Sequence, residues 1–205
     1  MSATASSSPK RDHLMATAWR LFYRDGLRAV GIDTLLAEAG VAKMTLYNHF
    51  ASKEALIIAI LETRDLEFRE SLLAQVESAG PDPEKRLSAV FDWLETWFGT
   101  ESFKGCIFIR AVSEYPEPTH PIHQTAWRHK IAVQAILADL CAAAGAKDPA
   151  ALANAFSLLI DGAIIAAHAT QTTTPAHSAR ATAVLLLQLA QPSAAWKSAA
   201  DAVSG

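Results

Sequence analysis

The amino-acid sequence predicts an all-α protein, and three observations support this fold class. About half of the 205 residues are hydrophobic (51%), with Ala, Leu and Ile as the dominant types. The alternation of Val, Thr and Tyr with polar residues that indicates β-strands is scarce. The nine glycines and nine prolines separate the apolar segments instead of filling them. A chain of this length can bury a substantial core as one domain or two small ones.

Three helices are predicted at the N-terminal end, over residues 10–24, 33–39 and 43–50. The first carries an apolar stripe at helical spacing, formed by Leu14, Ala18, Leu21 and Phe22. Gly26 follows this stripe, where a left-handed C-terminal cap is expected. A three-residue turn led by Gly40 separates the other two helices. This outline is typical of a helix-turn-helix, and a solvated helix in a generic bundle is the alternative.

Six further helices are predicted in the rest of the chain. They cover residues 53–78, 83–99, 106–114, 122–144, 149–170 and 175–189. Ser52 is expected to cap the first of them, and residues 192–205 are expected to fray. The most apolar segment, residues 151–169, is interrupted by Asn154, Asp161 and His168, which favours a buried helix over a membrane span.

Charge and cysteine content predict a cytoplasmic protein that touches nucleic acid with one end. The net charge is −3, but residues 1–56 carry seven Lys and Arg against five Asp and Glu. A mildly basic segment before an acidic remainder suits a nucleic-acid contact, with ordinary charge scatter as the alternative. The two cysteines lie far apart without a paired spacing, and no apolar signal sequence begins the chain. We therefore expect a reducing compartment and no membrane partner.

The third predicted helix has side chains suited to double-stranded DNA. Leu46 and Phe50 are expected to face inward. The outward residues are Lys43, Met44, Thr45, Tyr47, Asn48 and His49. A lysine can neutralise a phosphate, an asparagine can pair with an adenine edge, and a methionine can contact a thymine methyl.

Residues 26–56 resemble the N-terminal domain of TetR-type transcriptional repressors. The matching positions are Ala39-Gly40-Val41, Thr45-Leu46-Tyr47, His49-Phe50, Ser52-Lys53-Glu54 and Leu56. The resemblance implies that the third helix is the recognition helix, that Tyr47 and His49 face the DNA backbone, and that Lys53 anchors a phosphate.

Three positions depart from that pattern. Gly31 stands where the family commonly has Thr or Ser, so it offers only its backbone N–H to a phosphate. Ala42 replaces a frequent Ser, and Met44 replaces a frequent Gly. Met44 makes the recognition surface more apolar than usual, so we expect its specificity to be unusual there.

The resemblance also implies the organisation of the whole chain. The expected parts are a disordered tail over residues 1–9, a helix-turn-helix DNA-binding domain over 10–55, and a helical ligand-binding and dimerisation domain over 56–205. The last two helices would form a four-helix interface with a second copy, with a monomeric core as the alternative. The expected function is that of a homodimeric, ligand-responsive repressor released from its operator by a small molecule.

Aromatic residues and a few polar groups in the second half are candidate contacts for that small molecule. They are Trp93, Trp97, Phe103, Cys106, Phe108, Arg110, Glu114, His123, Trp127, Phe156 and His168. The alternative is that the aromatic residues fill the core and that Glu114 pairs with Arg110 on the helix surface.

A metal site and a catalytic site are the two alternative site types. His120, His123 and His129 lie close in sequence and Cys106 could join them, but their spacing matches no recognised metal site, so no metal or cofactor is predicted. A helical-bundle enzyme using Cys106, His123 and Glu114 is the alternative function. The sequence has no GxSxG, HExxH or phosphate-binding loop to support it.

Overall fold

A computed structural model of the protein describes residues 8–191, and these residues form nine α-helices and no β-strand. The helices are α1 (Pro9–Asp25), α2 (Ile32–Ala39), α3 (Lys43–His49), α4 (Lys53–Ser78), α5 (Pro83–Phe98), α6 (Ile107–Glu114), α7 (Pro121–Ala143), α8 (Pro149–Thr170) and α9 (Thr174–Ala190). The predicted all-α class is confirmed, and every predicted helix is present with each end within one residue. The predicted frayed end and most of the predicted N-terminal tail lie outside the described residues.

Local capping explains where the first helices begin and end. The Oγ of Ser8 accepts a hydrogen bond from the N–H of Arg11 at 3.2 Å, and Pro9 occupies the first turn of α1. Ser52 caps α4 as predicted, because its Oγ accepts from the N–H of Ala55 at 3.1 Å. The predicted left-handed conformation of Gly26 is wrong: its φ is 105° but its ψ is 156°, so the chain leaves α1 in an extended direction.

The chain divides into two compact units. The first comprises Met1–Glu67 and Ile107–His129, and the second comprises Phe68–Cys106 and Lys130–Gly205. Helices α4 and α7 therefore contribute residues to both units. These units are defined by contacts between residues. The predicted division after residue 55 is defined instead by the end of the helix-turn-helix motif, and it stays a prediction.

In the first unit, α1 packs against α2 and α3 around side chains that are almost completely buried. Phe22 of α1, Leu35 of α2 and Leu46 of α3 are each 1% exposed or less. Elsewhere in this unit, the His129 ring stacks on Phe108 with ring centroids 3.6 Å apart and has its Nδ1 2.8 Å from a carboxylate oxygen of Asp65. A buried imidazole with a hydrogen-bond partner is a stable arrangement for a polar side chain.

In the second unit, α8 packs against α9 and α5. Buried alanines line the contact between α8 and α9 and allow the helices to approach closely: Ala163, Ala167, Ala176, Ala179 and Ala183. Phe91 of α5 meets Phe156 of α8 edge to face, with centroids 5.9 Å apart. Helix α8 is long and apolar enough to cross a membrane, and the core helices of soluble proteins share this length and composition. Part of its surface is buried in these contacts.

Candidate nucleic-acid interface

The turn between α2 and α3 is built by backbone geometry. Gly31 stands at the N-cap of α2 and contributes no side-chain hydrogen bond, as its lack of a hydroxyl requires. Gly40 ends α2 in the left-handed conformation (φ 62°, ψ 32°), which favours glycine. The N–H of Val41 then donates to the carbonyl of Leu36 at 3.2 Å. Ala42 is the N-cap residue of α3 and provides no side-chain hydrogen bond, so α3 starts with an uncapped and exposed first turn.

Helix α3 presents one buried and one exposed face. Leu46 is fully buried, and Phe50 is buried just after the helix ends. Met44 is 68% exposed, and Lys43, Tyr47 and Asn48 are also exposed. Thr45 and His49 are half-buried. Lys43, Met44, Tyr47 and Asn48 are therefore exposed as predicted, whereas Thr45 and His49 are more buried than predicted. Contact with DNA stays a prediction.

His49 lies against the start of α1. Its Nε2 is 3.4 Å from the Oγ of Ser8, and the Arg11 guanidinium lies over the neighbouring Phe50 ring at 5.2 Å from its centroid. These two contacts tie the C-terminal end of α3 to the first turn of α1. They help to orient α3, which has only seven residues.

Lys53, the predicted phosphate anchor, is the first residue of α4 and is already engaged. Its Nζ donates to the carbonyl oxygen of Arg28 at 3.1 Å and lies 5.8 Å from the centroid of the Phe22 ring. Burial lowers the pKa of the Lys53 ammonium below its ordinary value, and the charge of Glu114 opposes that shift. The ammonium therefore lies beside the chain segment that connects α1 to α2.

That segment, the α1–α2 corner (Gly26, Leu27 and Arg28), is held by a carboxylate from a distant helix. The Glu114 carboxylate at the end of α6 accepts the N–H of Leu27 at 3.2 Å and the N–H of Arg28 at 2.6 Å. Sequence reasoning missed this contact, because 86 residues separate Glu114 from Arg28.

Arg110 lies one turn before Glu114 on α6 and reaches the end of α1. Its Nη1 donates to the carbonyls of Phe22 at 3.2 Å and Tyr23 at 2.9 Å. The predicted surface pairing of Arg110 with Glu114 is thus replaced by contacts from both side chains to the backbone around α1. Their four-residue spacing, which places them on one face of α6, is the sequence signal for a shared partner.

The predicted small-molecule contacts are divided between the two compact units. The first unit contains Phe108, Arg110, Glu114, His123 and Trp127; the second contains Trp93, Trp97, Phe103, Cys106, Phe156 and His168. In the first unit, Phe108 is buried under His129, the Nδ1 of His123 is 2.8 Å from the carbonyl oxygen of Tyr115, and Trp127 is exposed.

In the second unit, aromatic rings from α4, α5 and the loop after α5 form a continuous cluster. Trp97 contacts Trp93, Phe68 and Phe103, with centroids 5.4, 5.7 and 5.1 Å apart. The Trp93 Nε1 donates to the Oγ of Ser71 at 2.9 Å. Phe103 extends the cluster to His168, at 6.3 Å between ring centroids. The cluster therefore brings together four of the predicted small-molecule contacts: Trp93, Trp97, Phe103 and His168.

A separate cavity of about 500 Å³ lies beside α5 and α9. Phe91 and Phe156 contribute apolar surface to it, and Arg180 and Gln188 contribute polar groups. The Arg180 guanidinium pairs with Asp92 at 2.6 Å. Of the predicted small-molecule contacts, Phe156 lines this cavity.

Side chains named for the metal and enzyme alternatives have other contacts in the described part of the chain. Among the described residues, no three His, Cys, Asp or Glu side chains gather closely enough to hold a metal ion. Glu114 and His123, two of the three residues of the enzyme alternative, are occupied by backbone groups. Cys141 is a buried thiol, and its burial raises its pKa to about 11, so it is protonated at neutral pH.

Comparisons with known proteins agree with this helix-turn-helix. The family model of bacterial regulatory proteins of the tetR family matches residues 14–60. The HTH-type transcriptional regulator YjdC of Escherichia coli is 25% identical over 159 residues, covering 76% of this chain and 81% of that protein. The HTH-type transcriptional repressor NemR of Escherichia coli is 31% identical over 107 residues, covering 51% of this chain and 53% of NemR.

The similarity extends beyond the motif to the complete fold. The crystal structure of SCO4454, a TetR-family transcriptional regulator from Streptomyces coelicolor, superimposes with a TM-score of 0.86. The two chains are 32% identical over 90% of this one and 91% of the other. The helix-turn-helix over α2 and α3 and this full-length similarity together show that the chain belongs to the TetR family and is a DNA-binding transcriptional regulator.

Proposed function

We propose that this regulator is a homodimeric repressor that binds an operator through its two α3 helices and releases it when a small molecule binds. The observation that carries the proposal is the exposed face of α3, where Lys43, Met44 and Asn48 stand outside the buried Leu46. NemR, which is similar over half its length, is by its name a repressor. Because a transcriptional regulator acts on DNA, we place the protein in the cytoplasm, without a membrane partner.

The α3 side chains divide by chemistry into positioning and specifying groups. The Lys43 ammonium and the Tyr47 hydroxyl are suited to phosphates, and the backbone N–H of Gly31 at the start of α2 adds a further phosphate donor. Asn48 and Met44 are suited to base edges, an adenine and a thymine methyl respectively. Thr45, His49 and Lys53 complete the proposed contact surface.

The proposed dimer interface is the apolar face of α8 and α9. Leu158 and Ile165 lie seven residues apart on α8, Leu185 and Leu189 lie four apart on α9, and all four side chains are exposed. Exposed apolar residues at these spacings form a surface that a second copy can cover. Two-fold symmetry also matches a pair of operator half-sites spaced by whole helical turns of DNA.

The proposed effector site lies in the second unit. The aromatic cluster around Trp97 and the cavity lined by Phe156 and Arg180 both combine apolar walls with a few polar groups, as small-molecule sites do. Release of the operator requires that the effector bind the DNA-competent and released states with different affinities. A candidate that binds tightly and leaves operator affinity unchanged would contradict this part of the proposal.

We expect Lys53→Ala to weaken binding to every duplex and to flatten the salt dependence. Loss of one phosphate contact lowers the slope of log K against log salt by about 1. The measurement is fluorescence anisotropy across a salt series, with an operator duplex selected from a random-sequence pool. Lys147→Ala, which removes an exposed lysine of the second unit, is the matched control and should leave the slope unchanged. An unchanged slope for Lys53→Ala would assign Lys53 a structural role on the Arg28 carbonyl alone.

We expect Asn48→Ala to relax sequence preference at one position of each half-site. A bidentate contact to adenine discriminates by about 1–3 kcal/mol, so the loss should appear only with that base pair present. Binding is measured against operator variants carrying each base at each position. Lys43→Ala, on the same helix, is the comparison and should weaken all variants alike. Equal losses for Asn48→Ala on all variants would reassign Asn48 to the DNA backbone.

A further inference from the structure

We propose that Glu114 is a positioning residue for operator binding: from α6, its carboxylate holds the α1–α2 corner and, through Arg28, fixes Lys53 at the start of α4. The inference rests on the proposed role of Lys53 as a phosphate contact. It assigns to Glu114 a part in DNA binding although the side chain belongs to neither α2 nor α3.

Arg28 is held on three sides. Its N–H donates to one oxygen of Glu114 at 2.6 Å, and its carbonyl accepts from the Nζ of Lys53 at 3.1 Å. Its guanidinium lies over the ring of Tyr115, the residue directly after Glu114, at 4.7 Å from the ring centroid. A shift of the Glu114 carboxylate therefore displaces the carbonyl to which Lys53 is bonded.

The charges of Arg110 and Glu114 are complementary to the partial charges of the backbone groups that they contact. The last carbonyls of α1 carry partial negative charge and receive the Arg110 guanidinium. The N–H groups of the corner carry partial positive charge and receive the Glu114 carboxylate, one N–H on each oxygen. One face of α6 thus supplies a cation and an anion where α1 ends and the chain turns.

Gly26 shows how closely the carboxylate approaches the corner. A Cβ placed on Gly26 would lie 2.9 Å from the Oε1 of Glu114, which is closer than real Cβ contacts come. The corner therefore accommodates Glu114 because residue 26 has no side chain. Close packing against the backbone, in addition to two hydrogen bonds, fixes the position of the carboxylate.

The charge of Glu114 also acts on Lys53 directly. Burial lowers the pKa of Lys53, and the Glu114 charge is the influence that opposes this lowering. The Glu114 carboxylate thus favours the charged form of the half-buried Lys53. Positioning of the corner and stabilisation of the charged form of Lys53 both favour operator binding.

The test is Glu114→Gln, which keeps the shape of the side chain but removes its charge and one acceptor oxygen. We expect an about 10-fold loss of affinity for the selected operator duplex and a similar loss for a scrambled duplex of the same length, because a phosphate contact is made on every sequence. Glu117→Gln, which removes an exposed carboxylate from the loop after α6, is the matched control and should retain operator affinity. Operator affinity of Glu114→Gln within 2-fold of wild type would overturn the inference.

Two further measurements separate positioning from general stability. In a Lys53→Ala background, Glu114→Gln should cost less than about 3-fold, because its effect passes through Lys53; a full additional 10-fold loss would contradict the inference. By NMR titration without DNA, the pKa of Lys53 should fall further in Glu114→Gln than in wild type, and an unchanged pKa would contradict it.

If Glu114→Gln does not fold, Glu114→Asp provides the same test. It keeps the charge but shortens the side chain by one methylene group, so its carboxylate no longer reaches both N–H groups and operator affinity should fall. Failure of the wild-type protein to bind any duplex would count against the proposed operator binding, whereas loss-free Glu114 variants would count against this inference alone.

Discussion

Replacing both Ile165 and Leu185 with Asp should convert the proposed dimer to a monomer and lower operator affinity by at least about 100-fold. These side chains are 57% and 60% exposed in the single chain and lie on the proposed interface of α8 and α9. In an apolar interface, each new carboxylate would lose its water without gaining a partner. A monomer binds one half-site and loses the high effective concentration that links the second, an effect of about 10²–10⁴.

Analytical ultracentrifugation reports the oligomeric state, and fluorescence anisotropy reports operator affinity. Leu66→Asp is the matched control, because Leu66 on α4 is 54% exposed and lies outside the proposed interface. It should leave the protein dimeric and its operator affinity unchanged. A doubly substituted protein that sediments as a dimer would place the interface elsewhere on the chain.

Gly26→Ala should lower the free energy of unfolding by about 3 kcal/mol and weaken operator binding. Its φ of 105° is a conformation that residues with a Cβ rarely adopt, which costs about 1–3 kcal/mol. The new methyl group would also meet the Glu114 carboxylate at 2.9 Å and push it from the corner. Urea denaturation measures the first effect and operator titration the second.

Gly145→Ala measures the cost of a positive φ without a steric contact. Gly145 has a φ of 80°, but a Cβ there would meet nothing within 4 Å. This variant should show only the cost of the backbone conformation, about 1–2 kcal/mol, and should bind the operator as wild type does. Equal destabilisation by the two substitutions would mean that the contact between Gly26 and Glu114 is unimportant for stability.

The helices were predictable from sequence because their signals are local. Helix α8 occupies the predicted residues 149–170, since Pro149 fits a first turn and the apolar period continues to the end. The helix-turn-helix was predictable for the same reason: Gly40 ends α2 and Leu46 marks the buried face of α3.

The contacts between distant segments were not predictable in this way. No periodicity relates Glu114 to Leu27 and Arg28, because the pairing depends on how α6 packs against α1 within the first unit. The residue types alone equally suited Glu114 to a ligand, to Arg110 or to the backbone. Likewise, Phe108 is an aromatic residue of the type that lines small-molecule pockets, but its ring is covered by the ring of His129.

The α1–α2 corner has a consequence for amide hydrogen exchange. Leu27 and Arg28 lie outside any helix, where N–H groups ordinarily exchange rapidly with water. Here both are bonded to one carboxylate, so their exchange depends on the dissociation of Glu114 and not on the fraying of a helix. The two amides thus form a probe at the edge of the proposed DNA-binding surface, and their exchange rates measure how often the hydrogen bonds between Glu114 and the corner break.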